Sequence, residues 1–309
     1  MKISNIIHQK SFRGFLFAGL AALSVSNVYI FSKAALLVTP IFTFGFYWFL
    51  MALFYNVTLV MATGKYKLLK TYQKKDYKAL TIIGFFELLG TVTFFMAIKQ
   101  IENPAIASFL VNTTPVFVTL ISIPMLNERF KTLEIVGIVI LLSGAFMLSY
   151  SGTFSFDELL VQGANLMILS CLLVAIALVI AKKNIKNIDP YLLSLNRVVF
   201  IFVFYSIALY FSGESYHVTT KSFVNIALGS LFGPFLGAIL QYNSYRFIEV
   251  SKASLIQNTN GIFVIISTYL YFGLLPLGLQ IVGGIITILG MMVMVVGKYD
   301  IIKLPGFKK

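Results

Sequence analysis

A carboxylate in the middle of a long apolar run is the least expected residue in this sequence. Glu87 lies between Gly84-Phe85-Phe86 and Leu88-Leu89-Gly90, and on membrane-insertion scales a charge there costs at least roughly 2.5 kcal/mol. Two chemistries account for it. As a functional group it exchanges a proton or balances a cationic substrate; as a structural group it is protonated or hydrogen-bonded between helices. A second polar island, Asn112-Thr113-Thr114-Pro115, interrupts another apolar run. Pro115 has no N–H for the carbonyl of Val111, so a polar backbone group is released there. A third island, Gln257-Asn258-Thr259-Asn260-Gly261, has the same character without a proline. Asn112, Thr113, Asn258 and Thr259 are therefore candidates for a central polar site. Their alternative role is interhelical hydrogen bonding, worth only about 0.6 kcal/mol per contact.

Gln241-Tyr242-Asn243-Ser244-Tyr245 supplies donors and aromatic faces. Gln241, Tyr242 and Tyr245 either line a solute pathway or belong to an interfacial aromatic belt. Lys33 is a candidate gate or anion contact, or a lysine snorkelling to the interface; Trp48 either lines a cavity or packs. Gly229, Gly233 and Gly237 recur every fourth residue around Pro234, a stripe that admits a neighbouring helix closely, for packing or for a moving contact. Enzyme signatures are lacking. Gly64-Lys65 has Leu59 where a phosphate-binding loop needs its first glycine, and neither a His-Glu-x-x-His pair nor a nucleophile elbow occurs. His8 and His217 are far apart and Cys171 is the single cysteine, so no metal, cofactor or intramolecular disulfide is expected.

The elements that must position these residues are membrane helices. Of 309 residues 59% are hydrophobic and only 11% charged, less than half of the roughly 25% of a soluble domain. The apolar blocks are about twenty residues long, enough to cross a hydrocarbon core of roughly 30 Å, and continuous, which selects helices over a barrel. The expected spans are 14–34, 40–63, 79–98, 104–126, 132–151, 160–181, 190–211, 222–245, 251–272 and 277–297. Asn112 and Asn258 then lie on the order of 10–12 Å into their spans at 1.5 Å per residue. Alternate loops carry nearly all the lysines and arginines, Lys65 to Lys78 and Lys182 to Lys186 among them, whereas the opposite loops hold only Lys33, Lys99 and Lys221. That bias places both termini in the cytoplasm and explains the net charge of +13 without nucleic acid.

The chain also repeats itself. A shift of 146 residues lays 107–148 on 253–294 without a gap. Ala107-Ser108 then falls on Ala253-Ser254, Asn112-Thr113 on Asn258-Thr259, Ile135-Val136-Gly137 on Ile281-Val282-Gly283, and Gly144 on Gly290. Two units, 14–151 and 160–298, each hold five spans, an odd number, so the second enters the membrane in the opposite sense. The Ala-Ser blocks, Pro115-Val116-Phe117, Asn127-Glu128-Arg129-Phe130, Gly137 and Gly144 resemble the drug/metabolite transporter superfamily in its ten-span EamA-like branch. Trp48 stands where the family's span-two arginine is expected, Arg197 occupies the equivalent place in span seven, and Leu274-Leu275 replace a Glu-Arg pair. The resemblance implies an all-α carrier whose spans three, four, eight and nine line a cavity. It implies export of a small organic solute, such as an amino acid or related metabolite, across a plasma (bacterial inner) membrane. Proton coupling through Glu87 and uncoupled diffusion both stay open, as do a monomer and a homodimer; the competing classes are a membrane receptor or enzyme without transport.

Overall fold

The computed structural model describes residues 2–126, 131–149, 161–248, 253, 260–276 and 278–299, which are helical and joined by short turns. In chain order the helices are α1 (Lys2–Leu36), α2 (Ile41–Ala62), α3 (Lys74–Gln100), α4 (Pro104–Leu110), α5 (Thr114–Leu126), α6 (Thr132–Ser149), α7 (Ala164–Asn184), α8 (Pro190–Ser212), α9 (Thr220–Ser230), α10 (Ala238–Phe247), α11 (Asn260–Phe272) and α12 (Gly278–Tyr299). Local chemistry sets their ends. Asn103 and Asp189 each accept a hydrogen bond from the amide two residues on, at 2.9 and 3.0 Å, and each precedes a proline at the first helical position. Gly64 and Gly213, at φ 67° and 68°, turn the chain out of α2 and α8.

Among the described residues seven segments are long and apolar enough to cross a bilayer: Phe12–Leu36, Ile41–Ala62, Lys74–Gln100, Pro104–Met125, Ala164–Asn184, Pro190–Ser212 and Thr220–Phe247. Where the sequence places the fifth, ninth and tenth spans, shorter apolar helices occur at Ile135–Gly144, Phe263–Phe272 and Gly278–Gly290. Two of the seven are not regular. A 3-10 turn, Val111–Thr113, separates α4 from α5, and the amide of Thr114 takes the carbonyl of Val111 that Pro115 leaves. A π turn, Leu231–Gly237, separates α9 from α10 around Pro234. Its surplus carbonyls find donors on neighbouring helices. Ser24 reaches the carbonyl of Phe232 at 2.7 Å, and Ser194 and Asn56 reach that of Pro234 at 3.3 and 3.4 Å.

Packing repeats across the chain. α2 lies on α8, α6 on α12 and α4 on α11, while α3 packs on α7 as α9–α10 pack on α1. The α6–α12 contact is reciprocal at the level of atoms. A Cβ on Gly144 would meet Thr287 backbone and, at 2.7 Å, the carbonyl oxygen of Gly283; one on Gly290 would meet Leu141 backbone and, at 2.9 Å, the carbonyl oxygen of Gly137. Adding 146 to Gly137, Leu141 and Gly144 gives Gly283, Thr287 and Gly290. As α6 advances from 137 to 144 its partners run back from 290 to 283, so the two helices are antiparallel. Outward, Val136, Val139 and Phe146 on α6 and Val282, Ile285 and Met292 on α12 are exposed apolar residues, a surface suited to lipid rather than water.

Candidate functional site

Between α1, α2 and α3 on one side and α7, α8 and the π turn on the other lies a cavity of about 200 Å³. One wall is aromatic: Tyr29 from α1, Trp48 and Phe49 from α2, and Phe94 and Phe95 from α3. Trp48 is fully buried, with Phe44 and Phe95 packed at ring distances of 5.0 and 5.5 Å. Polar atoms enter from Thr91, Thr114, Ser170, Gln241 and Asn260, and Arg197 is the single charged residue among the described lining.

Arg197 leads to Glu87. Their Nε and Oε2 atoms are 3.2 Å apart, yet neither has an aligned hydrogen-bond partner among the described residues, so the contact is an ion pair in skewed geometry. The second carboxylate oxygen, Oε1, accepts a hydrogen bond from the Tyr242 hydroxyl at 3.1 Å, and Arg197 Nη2 donates to Thr91 at 3.4 Å. Glu87 is 1% exposed and sits behind the wall; the Arg197 side chain keeps 24% of its surface accessible. The pair thus joins α3 to α8 and, through Tyr242, to α10. Water is largely excluded here, so the attraction is strong, but a skewed pair lacks the parallel bonds that make an arginine–carboxylate contact hard to exchange.

The other sequence candidates are distributed around this cluster. Gln241 lines the cavity and donates to the Tyr245 hydroxyl at 2.7 Å. Tyr242 and Tyr245 are buried and pack edge to face. Asn112 is fully buried, and neither amide atom has a partner among the described residues; its neighbours Val111 and Thr114 line the cavity. Thr113 turns back to the carbonyl of Leu110 at 2.9 Å. Asn258 and Thr259 lie outside the described residues. Gly229 and Gly233 approach Trp48, Phe31 and Val28, and Gly237 approaches Val25, so the glycine stripe faces α1 and α2. Lys33 does not snorkel. It is 7% exposed and donates to the carbonyls of Ile98, Lys99 and Ile101 at 3.2, 3.2 and 2.7 Å, satisfying the negative end of α3. Among the described residues no group of His, Cys, Asp or Glu is placed to hold a metal.

Two residues carry more than the sequence reading assigned them. Arg197 had only a family correspondence, although a second intramembrane charge at similar depth was a signal for pairing with Glu87. Asp189, which falls between the expected spans 160–181 and 190–211, is 6% exposed and binds Lys65 Nζ at 3.1 Å and Arg246 Nη2 at 2.9 Å. Its amide donates to the Tyr72 hydroxyl at 2.9 Å, and burial pushes that phenol up from its ordinary value. Asp189 thereby ties the ends of α2, α8 and α10 together. At the opposite end Glu214 accepts from the amides of Phe42 and Thr43 at 3.0 and 2.9 Å, capping α2 from the loop that follows α8.

No curated protein matches the sequence significantly. A solved structure, described as "Crystal structure of protein", is 15% identical and superposes with a TM-score of 0.67 over 92% of this chain and 97% of its own, a likeness of fold. The model of the EamA-like transporter family matches twice, over residues 12–150 and again over 161–296. With nearly the whole length accounted for by two copies of one family pattern, the chain belongs to the EamA-like transporter family and is a membrane transporter of the drug/metabolite type.

Proposed function

We propose that the protein is a secondary carrier of a small organic metabolite, such as an amino acid or a related solute, working by alternating access. In this reading ten spans form two five-helix units of opposite sense, and both termini are cytoplasmic. The family resemblance favours export across a plasma membrane. The observation that carries the reading is the cavity itself: its walls come from both halves, and an ion pair between the halves, Glu87 with Arg197, closes one side of it. The reciprocal, antiparallel contact of Gly144 and Gly290 supports opposite sense, because a two-fold that exchanges antiparallel helices lies across them, in the membrane plane. Two units related this way have two nearly equivalent packings, one open to each side. The Asp189 cluster and the Glu214 cap are suited to fasten opposite ends in turn.

The test is flux. Purified protein in liposomes preloaded with unlabelled metabolite should accumulate the same labelled metabolite transiently by counterflow. Saturable binding with no counterflow for any solute in a broad metabolite screen would replace the carrier with a receptor.

A further inference from the structure

Resting on the carrier reading, we propose that the solute is a small apolar or aromatic monocarboxylate without an ammonium group, and that each molecule crosses with one proton held by Glu87. Size and lining come first. The cavity holds about 200 Å³; one of roughly 150 Å³ accepts benzene, so a ring and a short acid chain fill this one. Tyr29, Trp48, Phe94 and Phe95 supply the faces for such a ring. Arg197 supplies the only charge of the described wall, and it is positive. Its Nε faces Glu87 and its Nη2 faces Thr91, so among the described contacts Nη1 is the remaining donor for a carboxylate. An ammonium group would find no carboxylate on the described wall, since Glu87 stands behind Arg197.

The proton follows from charge balance. At rest Glu87 and Arg197 cancel. A carboxylate that moves onto Arg197 leaves a net negative charge in a site shielded from water, which is costly. A proton taken by Glu87 at Oε2 breaks its pairing with Arg197, frees the guanidinium for the solute and restores neutrality. On the far side the acid leaves Arg197, Glu87 gives up the proton, and the original pair reforms; one anion and one proton have moved. Among the described residues the titratable groups facing Glu87 are Arg197 from α8 and Tyr242 from α10, with Tyr245 beside Tyr242. Tyr29 of α1 and Cys171 of α7 line the adjoining cavity. None of these supplies a competing negative charge while the phenols and thiol hold their protons. The cycle is electroneutral, and a cytoplasmic excess of the acid drives export.

Phenylpyruvate, phenylalanine and phenethylamine present one ring with a carboxylate, a zwitterion and an ammonium. Their fluxes are measured in liposomes holding the full chain and a trapped pH dye, against protein-free vesicles. Phenylpyruvate should exceed the other two by about tenfold, the scale of the penalty for an ammonium left without a partner in the cavity, carrying one proton per molecule and ignoring membrane potential. Arg197→Gln should lower that flux by about tenfold. Glu87→Gln should abolish the proton movement that accompanies phenylpyruvate and make whatever net flux remains sensitive to potential; if that variant does not fold, the wild-type stoichiometry decides. Preference for phenylalanine or phenethylamine overturns the proposal, as does proton-free, potential-driven phenylpyruvate flux by the wild type. Counterflow of some other metabolite with none of phenylpyruvate overturns it and leaves the carrier standing; no counterflow of any solute overturns both.

Discussion

Removing one member of the Glu87–Arg197 pair should destabilise the protein far more than removing both. At 3.2 Å and an effective dielectric constant of about 20, the Coulomb attraction is about 5 kcal/mol. Glu87→Gln keeps the shape and an oxygen for Tyr242 but leaves the guanidinium uncompensated, and breaking a buried pair costs about 3–5 kcal/mol. Arg197 is 24% accessible, so this variant falls near the lower end, about 3 kcal/mol. Arg197→Met strands a carboxylate that is 1% exposed and should cost at least as much. The double variant leaves no charge behind and should lie within about 1 kcal/mol of wild type, a coupling of about 5 kcal/mol or more. The assay is unfolding by titrated SDS in mixed micelles, followed by the emission of Trp48, the sole tryptophan and a buried one. Additive costs, with the double variant as unstable as the two singles summed, would refute an energetic pair.

Three further outcomes follow from the contacts. Lys33→Met removes three donors from the end of α3 and should lower stability by about 2 kcal/mol and speed amide exchange near Ile98–Ile101; unchanged exchange would contradict the capping role. Gly144→Leu and Gly290→Leu should each cost about 3 kcal/mol, since the added side chain meets backbone rather than a movable group; near-equal losses in the unfolding assay are expected from the reciprocal contact, and a harmless member of the pair would break it. Asp189→Asn keeps the cap on Tyr191 but loses attraction to Lys65 and Arg246, which are 33% and 38% exposed. The loss is about 1 kcal/mol, or roughly a fivefold shift toward opening at that end. It should appear as faster labelling of a cysteine placed at Gln241, and an unchanged rate would remove Asp189 from the closure.

The helices were legible because length and apolarity answer to the bilayer: the runs 40–63, 79–98 and 190–211 nearly coincide with α2, α3 and α8. The interruptions were only half legible. Pro115 announced a disturbed turn, but the tightening to a 3-10 turn that hands the Val111 carbonyl to Thr114 depends on neighbours. Pro234 sat inside a glycine stripe that drew attention to packing, and the π turn it occupies became visible only with the donors Ser24, Asn56 and Ser194 around it. The site illustrates a general limit. Sequence spacing gives a residue's depth along its span but not the direction in which its side chain points, so the similar depth of Glu87 and Arg197 hinted at a pair without fixing the helix faces that make it. Lys33 shows the same gap, since a lysine at a helix end reads as snorkelling until the carbonyls of Ile98, Lys99 and Ile101 are seen to converge on it.

The most direct measurement is labelling of two cavity positions from each side of the membrane. In a Cys171→Ser background, Gln241→Cys reports on the part of the cavity nearest α10 and Phe94→Cys on the part nearest the end of α3. An impermeant maleimide is applied to right-side-out and inverted vesicles, with and without saturating transported solute. Alternating access requires opposite responses: the condition that raises labelling at 241 from the cytoplasmic face lowers labelling at 94 from the other. Labelling that rises and falls together at both positions would describe a pore or a static pocket, and would contradict the carrier.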